Sequence, residues 1–264
     1  MEERSERLVA LRKALAAYQT QGEESANERL SPSETALGCA LKRSALHEVY
    51  ARDASSGAVA AGFAAGIAMR LGGKRPLFWI TTDYATLEYG GVTGSGFLEF
   101  GIDPRQLVFV RLPKGDDALR AAGDILSCAY VGAVVLEIEG KVKTLDLVTS
   151  RRISLAAADR NIPAILLRLG APPMPSAAET RWLVHAAPSP PPGEENDWGR
   201  AAFDVQLLRN RHGQTGEWRM EWDGEYGFFR GRRDHEHTPH PVGVASASAD
   251  GSVGTQETAR SAII

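Results

Sequence analysis

The chain has 264 residues, 43% of them hydrophobic, with 30 Lys and Arg against 33 Asp and Glu and a formal net charge of −3. That length is enough for one sizeable core with extensions, and the charge excludes attachment to nucleic acid by bulk positive potential. Cys39 and Cys128 form no disulfide or metal pattern and read as reduced thiols of a cytosolic protein. No apolar run follows Met1 to suggest a signal peptide, and no stretch approaches the ~18 apolar residues that a membrane span needs.

In chain order, Glu2 to Tyr18 reads as a helix whose Leu8, Leu11, Leu15 and Tyr18 fall at 3,4,3 spacing and form one apolar stripe. Such a helix packs on its own domain or docks on a partner. Gln19 to Glu34 is polar and reads as a linker that gives it reach. Alternation then begins. Leu46–Tyr50 is a strand. Ala58–Leu71 is an Ala- and Gly-rich helix able to pack closely, with Gly72-Gly73 as its C-cap. Leu77–Thr81 is a buried strand, Phe97–Phe100 a short helix, and Leu107–Arg111 a strand after the Asp103-Pro104 turn. Asp116 to Tyr130 reads as a helix with Asp116 or Asp117 as N-cap and an apolar face that includes Ala118, Leu119, Ala122 and Leu126. Ala133–Ile138 is an apolar strand, Lys143 to Asp159 a helix, and Ala164–Leu169 another strand. Apolar strands alternating with helices predict a parallel sheet covered on both faces.

Beyond Gly170 the pattern changes. Pro172, Pro173 and Pro175 interrupt the chain, Glu179–Ala187 reads as a strand, and Phe203–Arg209 with Glu217–Trp222 reads as a β-hairpin. Trp182, Trp198, Trp218 and Trp222 fit packing anchors of this β extension better than base-stacking residues. From Gly231 to Ile264 large apolar side chains are nearly absent, which predicts a disordered tail. The organisation expected is 1–34 helix and linker, 35–170 α/β core, 171–230 β extension, and 231–264 tail.

The stretch from Ala45 to Leu71 has the strand, tight loop and helix of a phosphate-binding P-loop. A working P-loop reads G-x-x-x-x-G-K-[ST], with backbone N–H groups on the phosphates, a Lys on the outer phosphates and a hydroxyl on Mg²⁺. Here Ser55-Ser56-Gly57 stands in the right place, but Ala58 and Val59 follow where the Lys and the hydroxyl belong. The sequence therefore carries the outline of a nucleotide site without its chemistry, and predicts neither a resident cofactor nor a catalytic residue.

Four ordered passages, E-V-Y…S-S-G, W-I-T-T-D-Y, F-G-I-D-P-R-Q-L-V-F-V and A-V-V-L-E, resemble RecA over roughly Ala45 to Leu169. Longer passages, among them L-D-L-V-T-S-R-R-I-S-L-A-A and L-L-R-N-R-H-G-Q-T-G-E-W-R-M-E-W, resemble the ImuA family of bacterial mutagenesis operons. The resemblance implies a RecA-like α/β fold. It also implies a damage-induced accessory role in the SOS response, beside an ImuB-like protein, itself polymerase-like without catalytic residues, and an error-prone DNA polymerase. RecA is a further possible partner, and so is a second copy of the chain through the Leu8, Leu11, Leu15 and Tyr18 stripe. Carried over residue by residue, Asp83 falls near the carboxylate that activates water, with a shorter reach, and Glu137 falls where an acid helps hold Mg²⁺. Without the Lys these two acids do not make a hydrolase, because phosphoryl transfer depends on positioning and charge stabilisation. Losing the Lys contacts weakens nucleotide binding by about tenfold to a hundredfold or more. Two rival functions stay open: a SulA-like division regulator, and an ATPase with a non-standard site.

Other candidates carry less. Gly90 to Gly96 is glycine-rich but lacks a lysine and reads as a flexible loop. His235, His237 and His240 fit no zinc spacing, and His47 reads as a packed histidine. No Ser/His/Asp constellation stands out from sequence order. The arginines between Arg200 and Arg233 are largely offset by nearby acids, which fits a mixed solvated face; a weak DNA-backbone or polymerase surface is the alternative.

Overall fold

The computed structural model describes residues 37, 40–189 and 199–231. The Leu8, Leu11, Leu15 and Tyr18 stripe, the linker, Trp198, the histidines beyond 231 and the tail lie outside the described residues.

One nine-stranded sheet organises the fold, in the order β3-β2-β4-β5-β1-β6-β7-β8-β9. β1 (Leu46–Ala51), β2 (Leu77–Thr82), β3 (Leu107–Leu112), β4 (Ala133–Glu139), β5 (Ala164–Leu169) and β6 (Thr180–Ala186) run parallel. β7 (Ala202–Asn210), β8 (Gly216–Asp223) and β9 (Phe228–Gly231) add antiparallel. The fold is thus α/β with a mostly parallel sheet. The 171–230 segment continues the same sheet, and β9, which the sequence did not suggest, includes Gly231.

β1 and β5 are buried along their whole length and β4 through Ile138; β4 and β5 accordingly read as apolar runs with one polar residue each, Glu137 and Arg168, whereas β1 carries buried His47 and Glu48. α1 (Gly57–Gly72) crosses one face, over β1, β4, β5 and β6. α4 (Gly115–Leu126) and α5 (Leu147–Arg160) cover the other, α4 over β2, β3 and β4 and α5 over β1 and β5. Two short helices, α2 (Asp83–Tyr89) and α3 (Gly94–Glu99), follow β2.

The small residues of α1 have a specific use. A Cβ on Gly62 would lie 2.8 Å from Cζ of Phe100, and one on Gly66 would lie 2.5 Å from Cζ of Phe229. The helix therefore seats aromatic rings where larger residues would hold them off. Trp182, Trp222, Phe203 and Phe229 all pack in this α1-side core, so the tryptophans of the hairpin region are core residues, as is half-buried Trp218 at its margin.

Several boundaries correct the sequence reading. Gly90 to Gly96 is not one flexible loop: Thr93 caps α3, its hydroxyl accepting from the Gly96 N–H at 3.3 Å. α2 is capped the same way, by Thr82 accepting from the Ala85 N–H at 3.2 Å. α4 begins after Lys114, with Asp116 and Asp117 in its first turn instead of at the cap, where their charge complements the helix dipole. It stops at Leu126, where the Ser127 hydroxyl donates to the Asp124 carbonyl at 2.6 Å. α5 starts at Leu147, not near Lys143, because the Asp146 carboxylate accepts from the Thr149 N–H at 2.8 Å and sets the cap there.

Candidate functional site

The carboxyl ends of β4 and β5, with Trp79 of β2, meet the N-terminal half of α1 at a cleft of about 230 Å³. Ligands of open α/β sheets bind outside these strand ends. α1 contributes Gly57, Ala58, Ala61, Gly62 and Ala65. The sheet contributes Trp79, Glu137 and Leu169. The segment after β2 supplies Tyr89, the Gly90–Thr93 loop, Phe97 and Phe100. Ala58, Gly90, Gly91 and Thr93 are exposed, so the cleft opens to solvent between the head of α1 and this loop.

Glu137 is the acid at the floor. It is only 4% exposed, and the Trp79 indole N–H donates to its Oε2 at 2.9 Å. Trp79 stands opposite Val135 in the β2–β4 register, two residues below Glu137 on the same face. Burial pushes the Glu137 carboxyl above its ordinary value, and the hydrogen bond from Trp79 opposes this. The Thr81 hydroxyl lies near the same carboxylate without making a well-formed hydrogen bond.

The loop between β1 and α1 is a 3-10 turn, Ala54–Ser56. The Asp53 carboxylate accepts from the hydroxyls of Ser55 at 2.6 Å and Ser56 at 2.8 Å. Those hydroxyls hold Asp53 below the usual carboxylate range, with a smaller contribution from His185. Tyr89 lies across the first residue of the helix: a Cβ on Gly57 would come within 2.8 Å of its ring. The head of α1, which in a P-loop faces phosphate, here faces an aromatic ring and a carboxylate.

Asp83 is placed elsewhere. It opens α2, is exposed, and pairs with Arg111 of β3 at 2.6 Å. Of the sequence candidates, Gly57 and Glu137 line the cleft, Ser55 and Ser56 bind Asp53 beside it, and Asp83 is not among its lining residues.

Sequence order missed one constellation. Pairing of β1 with β6 brings His185 to the loop, where its Nδ1 lies 3.0 Å from Ser56 Oγ and 3.4 Å from Asp53 Oδ2. A nucleophilic triad needs the imidazole to use one nitrogen for the nucleophile and the other for the acid. Here both contacts fall on Nδ1, and the buried Ser56 hydroxyl gives its proton to Asp53. The cluster pins the loop and does not activate a nucleophile. His47 is packed: its Nε2 donates to the Lys42 carbonyl at 2.8 Å, which leaves Nδ1 to accept from the Thr180 hydroxyl at 2.7 Å. Burial lowers its pKa. Among the described residues no cluster of His, Cys, Asp and Glu suits a metal ion, and no helix is long and apolar enough to cross a membrane.

No protein-family model matches the chain. Among curated proteins it is similar to Protein ImuA of Caulobacter vibrioides, both from strain NA1000 / CB15N and from strain ATCC 19089 / CIP 103742 / CB 15. Each is 30% identical over 175 residues, a match covering 62% of this chain and 66% of the relative. The chain thus spans a little under two thirds of the length of these relatives. Over this match the chain resembles the ImuA family.

Proposed function

We propose that this protein is a cytoplasmic, non-catalytic, RecA-like accessory factor of error-prone translesion DNA synthesis, induced by DNA damage. In this role it works with an ImuB-like protein and an error-prone DNA polymerase, holding partners together instead of turning over nucleotide. The observation that carries the reading is the head of α1. Ala58 and Val59 stand where a P-loop needs a Lys and a hydroxyl, and the neighbouring Asp53 carboxylate already takes the Ser55 and Ser56 hydroxyls. A negative group there opposes phosphate, and among the described residues no cation lines the cleft to offset phosphate charge. The resemblance to the ImuA family supports the accessory role in general terms.

The test is affinity capture of the tagged chain from DNA-damaged cells, followed by mass spectrometry. The expected result is co-purification of a polymerase-like protein and a replicative-type DNA polymerase. Recovery of cell-division proteins without polymerases would contradict the reading and favour a SulA-like regulator.

A further inference from the structure

The cleft has the opposite electrostatic character from a phosphate site. Glu137 is the acid in its lining, and among the described residues no Lys, Arg or His lines it. Trp79, Tyr89, Phe97 and Phe100 supply aromatic surface, whose π-faces attract cations and repel anions. Glu139 and Glu88 also act on the Tyr89 hydroxyl at the rim, with Arg168 of β5 beside Glu139. The Glu137 carboxylate has room for several hydrogen bonds, yet among the described residues one well-formed donor, the Trp79 indole, reaches it. A buried charge without a counter-charge is costly.

We propose that the cleft is a receptor for an organic cation: an ammonium or guanidinium group on an apolar stem, its head at Glu137 and its stem against the Ala and Gly wall of α1. The space fits. An apolar cavity of about 150 Å³ holds a benzene ring, and this cleft offers about 230 Å³ with an open mouth. A lysine-like end combines a methylene stem with a compact charged head, which matches apolar walls around one acid. The same chemistry is carried by a Lys or Arg side chain of a partner protein and by a free polyamine. The inference rests on the cleft having lost its phosphate chemistry, as proposed above.

The experiment uses the full chain, with n-butylammonium as probe, n-butanol as its uncharged counterpart and ATP with Mg²⁺ as the anionic competitor, read by ligand-observed NMR. Butylammonium is expected to bind saturably, butanol at least about tenfold more weakly, and ATP not to displace the amine. Glu137→Gln, which keeps the shape and removes the charge, is expected to lower amine affinity at least about tenfold. Ala61→Leu, which fills the cleft and leaves Glu137 in place, is expected to remove binding and covers the case in which the Gln variant does not fold. Absence of saturable amine binding, equal binding of butanol, or full affinity in Glu137→Gln would overturn the proposal. Displacement of the amine by ATP would overturn the accessory-factor reading as well, whereas loss of amine binding without ATP binding would overturn the cation receptor alone. Spermidine and a lysine peptide, beside its acetylated form, then separate the two sources: tighter spermidine binding supports a free polyamine, and peptide binding abolished by acetylation supports a partner side chain.

Discussion

The indole of Trp79 on β2 donates to the carboxylate of Glu137 on β4 at 2.9 Å, inside the α1-side core and at the floor of the cleft. Removing the donor leaves a buried acid without its best-formed partner, which costs about 1–3 kcal/mol. Trp79→Phe is therefore expected to destabilise the chain by at least that amount, with lost packing added. In a Glu137→Leu background the same change should cost less, because no acid remains to be stranded. Urea denaturation of the four-member cycle checks this, and additive costs would show that the bond contributes nothing to stability.

The same acid gives a pH dependence with a definite sign. Burial raises the folded-state pKa of Glu137 above its ordinary 4.5, so between the two values the folded chain binds more protons than the unfolded chain. The associated stability is complete below about 4.5 and is lost as pH rises through the folded value. The stability of Glu137→Gln relative to the natural chain should therefore rise with pH over that window and stay level below it. Melting curves of both proteins on a pH series test the point; a difference that does not vary with pH would contradict it.

Two glycines in helices should respond in opposite ways to alanine. Gly66 of α1 has the Phe229 ring 2.5 Å and the Trp222 ring 3.0 Å from where a Cβ would sit, so Gly66→Ala overpacks the core at a cost of about 1–3 kcal/mol. Gly123 in α4 is exposed and has nothing within 4 Å of that position. Gly123→Ala should stabilise by up to about 1 kcal/mol through helix propensity alone. A thermal midpoint that rises in Gly66→Ala would show the packing at Gly66 to be misjudged, and one that falls in Gly123→Ala would show that helix propensity does not decide there.

The Glu48–Arg181 pair joins β1 to β6 at 2.7 Å, with side-chain exposures of 2% and 12%. Arg181 also donates to the Ser176 hydroxyl at 2.9 Å. Arg181→Met strands the buried Glu48 carboxylate and is expected to cost about 3–5 kcal/mol, whereas the double change with Glu48→Leu should recover much of that loss. Chemical denaturation of both variants decides it, and a loss under 1 kcal/mol in the single variant would mean the pair behaves as a solvated one.

The central strands were legible because burial on both faces leaves mostly apolar runs such as Ala133 to Ile138 and Ala164 to Leu169, each with one polar residue, Glu137 and Arg168. α2 was not, because only Ala85 of its seven residues is buried and Tyr84 and Leu87 face solvent, so no apolar stripe marks it. The signal available was Thr82 as a cap three residues before Ala85. The cleft was half legible. Gly57 and Glu137 follow from their places after β1 and on β4, but nothing in sequence order shows that Tyr89, Phe97 and Phe100, on either side of the Gly90–Gly96 stretch, fold back against the head of α1. His185 could not be placed beside Ser56, 129 positions earlier, without knowing that β6 pairs with β1.

The most direct measurement is phosphate release from ATP by the purified full chain, with Mg²⁺, in the presence and absence of single-stranded DNA. With Ala58 and Val59 after Gly57 and Glu137 hydrogen-bonded to Trp79, the predicted result is release no faster than that of a Glu137→Ala variant or of buffer alone. Sustained release by the natural chain that disappears in Glu137→Ala would contradict it, and would make the cleft a working nucleotide site.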